Sequence, residues 1–547
     1  MLLGVLFSAP CMGAARPNVL LIITDDQGWG DISRNGNPHL RTPHIDRIAA
    51  EGASVQRFYV SPVCSPTRSS LLTGRWNFRT GVTDTYIGRS MMHADETTIA
   101  EALKSAGYRT GVFGKWHLGD CYPMRPQDQG FEESLVIRGG GIGQPSDPPG
   151  GDSYMDPVLQ HNGRQVRSSG YCSDVFADAA IRWMGRKSSR PFFALAAFNA
   201  PHDPLQVPDA WVKPYAHLPQ QVAKVYAMVK NIDDNIGRML AHLRTSGQER
   251  DTIVVFLCDN GPAHPGYNGV FRGRKGTVYE GGIRSPLFVR WPGRIRAGTS
   301  VDGPAAHIDV MPTLLDACGV KVQRSRRMDG MSLLAQLCGS PEALPMRSIV
   351  LQWHRGDVPQ FGRACTLIEG NWKIVQAGGS AEGAWKEPLR WSLYNIREDP
   401  AEEHDLAAVH PQMVQQLAEK YRLWFGSVRD ERLFEPPLIV LDTRRQPETV
   451  LTRQDWRGPN AGWKEGDRGH WELQVPYRQV LDVRVTPISP GGDVTLRVGD
   501  RSFTRRAAAG SSEVVFRSVV FDFGRIDVSA GTAAGGARYV ELARRLP

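Results

Sequence analysis

Four groups of chemically capable residues follow directly on apolar runs in this sequence. Asp25-Asp26 come after Asn18 to Ile23, and Lys115 with His117 after Val112-Phe113. His202 comes after Phe192 to Phe198, and Asp259-Asn260 after Thr252 to Leu257. Three Asp carboxylates and the Asn260 carbonyl form a hard-oxygen set without a soft ligand, which selects calcium or magnesium over zinc or copper. Lys115, Lys275 and Arg68 are cations suited to hold a tetrahedral oxyanion. His117 and His202 can move protons near neutral pH.

Each group has an ordinary reading beside the chemical one. Asp25-Asp26-Gln27-Gly28 and Asp259-Asn260-Gly261 are good turn sequences. His117 beside Trp116 suits a packed core, Pro201-His202-Asp203-Pro204 a rigid loop, and Lys275 a solvated polar run. Cys64 opens Cys64-Ser65-Pro66-Thr67-Arg68, where Ser65 and Pro66 read as N-cap and first helical residue and Leu71-Leu72 face a core. A thiol there is either a buried structural cysteine or a nucleophile whose pKa the helix N-terminus lowers. Position favours the chemical reading for the set, because open α/β sheets bind ligands beyond the carboxyl ends of their strands.

The elements needed to position these residues are legible in outline. Fully apolar strands alternating with helices at Pro43 to Gly52, Thr97 to Ala106 and Val222 to Leu243 predict an α/β fold. Its sheet is mixed, mostly parallel and covered by helices on both faces. The expected division is a catalytic domain over 16–337, a smaller α+β subdomain over 338–436 and an accessory β-sandwich over 437–547. A length of 547 residues suits several domains, and 41% hydrophobic with 22% charged residues suits a globular chain. The net charge of +8 is spread without a basic block, which argues against nucleic acid as partner. Eight cysteines without metal-like spacing exclude a disulfide scaffold or zinc cluster. No stretch is long and apolar enough to span a membrane. Met1 to Ala15 reads as a weak signal peptide, with Leu2 to Phe7 apolar and Gly13-Ala14-Ala15 as cleavage site, so a periplasmic or secreted protein is expected.

Cys64-x-Pro66-x-Arg68 followed by Ser69-Ser70-Leu71-Leu72-Thr73-Gly74-Arg75 resembles the signature of type I sulfatases, arylsulfatase-like members of the alkaline-phosphatase superfamily. The resemblance extends through Asp25 to Asp31, Gly114 to Gly119, Pro201 to Pro204, Asp259 to Gly261, Arg272 to Thr277 and Glu280 to Pro286. It implies that a formylglycine-generating or sulfatase-maturating enzyme oxidises Cys64 to formylglycine. It also implies calcium on Asp25, Asp26, Asp259, Asn260 and residue 64. The reaction implied is hydrolysis of a sulfate ester by the aldehyde hydrate. His117 and Arg68 would activate and orient the hydrate, Lys115 and Lys275 would offset sulfate charge, and His202 would protonate the departing alcohol. A sulfated carbohydrate is the expected substrate. The competing expectations are a phosphodiesterase or phosphonate monoester hydrolase on the same fold, and an inactive glycan-binding protein using Trp456, Trp463 and Trp471 as sugar platforms.

Overall fold

Alternate residues of the strand Asn18–Thr24 feed two different cores. Val19, Leu21 and Ile23 pack with one apolar cluster, Leu20 and Ile22 with another. Side chains alternate across a strand, so a continuous apolar run demands cover on both faces. The computed structural model, which describes residues 16–322, 326–488, 491–508 and 511–545, supplies that cover. The leader expected at Met1 to Ala15 lies outside the described residues.

The large sheet has eleven strands. At its centre Thr252–Cys258, Asn18–Thr24, Phe192–Ala197, Arg109–Lys115 and Glu133–Ile137 lie side by side, all parallel. Antiparallel pairs occur toward both edges, at Leu287–Arg290 and at the hairpin Val158–His161 with Arg164–Arg167. Residues of the helices Pro43–Ala50, Cys172–Met184 and Gln220–Thr245 join the core on one face. Those of Cys64–Thr73, Ile99–Ser105 and Val310–Ala317 join the core on the other. This is the mixed, mostly parallel α/β arrangement expected.

Two further bodies of β structure follow. A four-stranded antiparallel sheet, Ser348–Gln352 through Ser392–Asn395, is covered by the helix Pro411–Arg432. A five-stranded and a four-stranded sheet then share an apolar core that contains Trp456 and Trp471. Both indoles are fully buried, so neither can act as a sugar platform, and that part of the glycan-binding expectation is corrected. Among the described residues no helix is long and apolar enough to cross a membrane. The seven described cysteines are free thiols.

A buried ion network ties the first of these bodies to the large sheet. Lys373 Nζ lies 2.9 Å from Glu280 and 2.8 Å from Glu402, and all three side chains are fully buried. Arg284 Nε donates to Glu280 at 2.9 Å. Lys373→Met would leave two buried carboxylates sharing too little positive charge, at a cost of about 3–5 kcal/mol. Thermal denaturation should show a clearly lower melting temperature, whereas an unchanged one would mean the network adds nothing.

Candidate active site

The four polar groups stand at the carboxyl ends of four adjacent parallel strands, so the sheet itself brings them together. Gly114 permits this closeness: its φ is +127°, and a Cβ there would sit 1.7 Å from the Ala197 carbonyl oxygen. The helix Cys64–Thr73, buried along its whole length, aims its first residue at the same edge. Its N-cap is Val63, and Cys64 is the first helical residue. The expected cap at Ser65 is corrected, because that hydroxyl instead donates to the His117 carbonyl at 2.9 Å.

Within the site every cation faces a carboxylate. Lys115 Nζ lies 2.6 Å from Asp25 Oδ2. Lys275 Nζ bonds Asp26 Oδ1, so this lysine is part of the site rather than solvated surface. Arg68 donates to Asp259 Oδ2 through Nε and Nη2, at 3.1 and 2.8 Å, and to the Lys115 carbonyl through Nη1 at 2.8 Å. His202 Nε2 is 3.8 Å from Asp26 Oδ2, and Asn260 Nδ2 donates to Asp26 Oδ1 at 2.9 Å. Asp26 and His117 both hold left-handed backbone, φ +64° and +63°. Such conformations cost about 1–3 kcal/mol each for non-glycine residues and concentrate at functional sites.

The His117 ring has a defined tautomer. Nε2 lies 2.7 Å from the Thr85 carbonyl, which can only accept, so Nε2 carries the hydrogen. Nδ1 then offers its lone pair to Cys64 Sγ, 3.4 Å away. Burial, with the Lys115 charge, holds the His117 pKa well below the usual histidine range, so the ring is neutral. Burial also brings His202 down to about 4 against the attraction of Asp26. Burial pushes the Cys64 thiol up, outweighing Lys115 and Lys275. The thiolate expected of a helix N-terminus is therefore not favoured, and the encoded cysteine is a poor nucleophile as it stands.

The acidic set fits a divalent cation. Ligand atoms of Asp25, Cys64 and Asp259 lie within 4.8 Å of one another. Asp25 Oδ1 and Asn260 Oδ1 are buried and lack a hydrogen-bond partner. Burial and the neighbouring Asp25 charge push Asp259 up to about 7. Orphaned oxygens and mutual carboxylate repulsion in one buried place are what a hard cation relieves.

Comparisons with known proteins bear on the family and the fold. The sulfatase family profile matches residues 17–320. The chain belongs to the sulfatase family. A second profile, described as N-sulphoglucosamine sulphohydrolase, C-terminal, matches residues 266–423. The chain is 32% identical over 345 residues to N-acetylgalactosamine-6-sulfatase of Mus musculus, covering 58% of this chain and 65% of that one. It is 30% identical to the arylsulfatase of Klebsiella aerogenes, covering 57% and 88%. The solved structure of Ps i-CgsB in complex with k-i-k-neocarrahexaose superposes with a TM-score of 0.68 at 26% identity, over 79% of this chain and 96% of that one. The family is one of sulfuric ester hydrolases, on the fold of type I sulfatases in the alkaline-phosphatase superfamily.

Several pocket residues carry no local sequence signal. Thr85 and Gln454 approach His117 from distant parts of the chain. Trp353 Nε1 and Arg355 Nη1 donate to Asp84 at 2.8 and 2.7 Å. The glycine-rich stretch after Arg138 lies against both histidines. A Cβ on Gly140 would fall 2.5 Å from the His117 ring, and one on Gly141 2.8 Å from the His202 ring. A separate cavity of about 650 Å³ is lined by Trp116, Gly119, Arg138, Arg164, Arg445 and Tyr539, and Asp25, Asp26 and Asp259 do not line it.

Proposed function

We propose that this protein hydrolyses a sulfate ester, on a sulfated carbohydrate, through a formylglycine made from Cys64. The observation that carries the reading is the convergence on residue 64. His117 Nδ1 faces it at 3.4 Å, and Asp25, one of whose oxygens is unpartnered, belongs to the same ligand cluster. Cys64 Sγ stands where an oxygen of the hydrated aldehyde would stand. Asp25, Asp26, Asp259, Asn260 and residue 64 would hold calcium, which when bound supplies Lewis-acid polarisation of a sulfate oxygen.

The chain's own residues divide the remaining work. His117, neutral and fixed with Nδ1 toward residue 64, accepts a proton from the nucleophile. Arg68 places three of its five N–H donors on Asp259 and the Lys115 carbonyl, which orients the acidic set around residue 64. Lys115 and Lys275 supply positive charge where the sulfate oxygens gather theirs. Burial strengthens these interactions because water no longer competes. His202 is neutral at rest, and the charge of a bound sulfate ester favours its protonated form. It then delivers that proton to the departing alcohol oxygen. Lys275 shares Asp26 with it and supports that step.

The carbohydrate part draws support from the relatives, one named for N-acetylgalactosamine-6-sulfate chemistry and one solved with a neocarrahexaose. A weak signal peptide at Met1 to Ala15 is consistent with export to where such glycans occur. The phosphonate monoester hydrolase of Agrobacterium radiobacter shares the fold at a TM-score of 0.55 and 20% identity, which bears on architecture alone. Parallel kinetics on an aryl sulfate and a phosphate diester test the reading. The sulfate should show the higher kcat/KM, and a large preference for the diester would overturn the assignment.

A further inference from the structure

The C-terminal sandwich contributes a side chain to the catalytic histidine's surroundings. The segment 453–457, just after the strand Glu448–Thr452, reaches the loop 84–90. Gln454 is 1% exposed, and its Nε2 donates to the Thr85 carbonyl and to Ser90 Oγ, each at 2.9 Å. Both amide hydrogens are then used. Nε2 also lies 3.4 Å from His117 Nε2. The same Thr85 carbonyl accepts the His117 Nε2 hydrogen at 2.7 Å, so its two lone pairs serve one donor from the imidazole and one from the sandwich. A flipped amide would oppose two oxygens at Thr85 and lose that bond. Docking is firm on either side: Gly88 N donates to the Gln454 carbonyl at 2.7 Å, and Arg457 bonds the Gly88 carbonyl. Ile87, Met91, Cys121 and Met124 belong to the sandwich's own apolar core. Both matched profiles end by residue 423, so neither assigns Gln454 a role.

We propose that Gln454 is a positioning residue for the sulfatase reaction, pinning the Thr85 carbonyl so that His117 keeps its hydrogen on Nε2 and turns Nδ1 to residue 64. The inference rests on the reading of His117 as the proton acceptor for the nucleophile. The sandwich is then part of the catalytic apparatus, acting without touching substrate. Losing the amide leaves the Thr85 carbonyl bonded by the imidazole alone, which loosens the ring it should orient. Small displacements of a catalytic group cost about 10- to 100-fold in rate.

Gln454→Met keeps length and bulk without a donor, and Gln454→Glu sets an acceptor against the Thr85 carbonyl. Both should lower kcat about 10- to 100-fold with KM within about twofold, since an orienting interaction acts on the transition state rather than on binding. Residue 64 should be processed to the same extent in each, by mass spectrometry. Ser90→Ala, which removes one anchor of the amide and leaves the sandwich core intact, should lower kcat more mildly. It decides the matter if the Gln454 variants do not fold. Unchanged kcat in folded Gln454→Met, or in Ser90→Ala if that variant fails to fold, overturns the inference while an inactive His117→Ala leaves the underlying reading standing. A fully active His117→Ala would remove that reading and the inference with it.

Discussion

Cys64→Ala is expected to lower kcat/KM on a sulfate ester by about 10,000-fold or more, the scale on which covalent catalysts lose rate when the nucleophile is removed. Alanine is a good helix former, and the replacement removes only a sulfur from the first turn of a helix whose other contacts are untouched. Circular dichroism and melting should therefore stay close to the parent. Asp25, Asp259, Lys115 and Arg68 remain paired with one another, so the site keeps its charge pattern but loses the one group that can bond to sulfur. A variant that retained appreciable turnover would place the nucleophile elsewhere. Binding of sulfated glycan by Cys64→Ala, together with no turnover by the parent protein, would instead favour a glycan-binding role.

Stripping divalent cations with a chelator should have the second largest effect. Activity is expected to fall about 100-fold or more, in keeping with loss of a major electrostatic stabiliser of the transition state. Calcium should restore it. A melting readout separates binding from catalysis. Three buried carboxylates, Asp25, Asp26 and Asp259, meet here with Asp25 Oδ1 left unpartnered, and the cations Lys115, Lys275 and Arg68 offset their charge. A ligand at one hundred times its Kd stabilises the folded state by about 2.7 kcal/mol, so calcium should raise the melting temperature of the stripped protein. Unchanged activity and melting in protein proven metal-free would exclude a cation from these carboxylates.

The central strands were legible because burial on both faces leaves no polar alternation, as in Leu20 to Ile23 and Val254 to Leu257. Edge and surface strands are harder to read. Arg501–Arg506 pairs with Asp493–Val498, yet its RSFTRR sequence carries three arginines and most of its side chains face solvent. The polar groups after the central strands could be assembled on paper because the sheet rule ties them to one edge. The start of the helix at Cys64 could not, since Ser65 looks like a cap until the His117 carbonyl is seen to occupy its hydroxyl. Gln454 is 337 residues from His117, and only the packed sandwich brings them together. Trp456 and Trp471 show the reverse problem: an aromatic in a β-domain suits sugar stacking or core packing, and only burial separates the two.

Residue 64 itself offers the most direct measurement. The tryptic peptide Phe58 to Arg68 spans it, between cleavage at Arg57 and at Arg68. In active protein made in a host that carries the maturation enzyme, mass spectrometry should find this peptide with sulfur and two hydrogens exchanged for one oxygen. It should also react with carbonyl reagents at position 64. Fully active protein in which that peptide carries only the unmodified thiol would contradict the account.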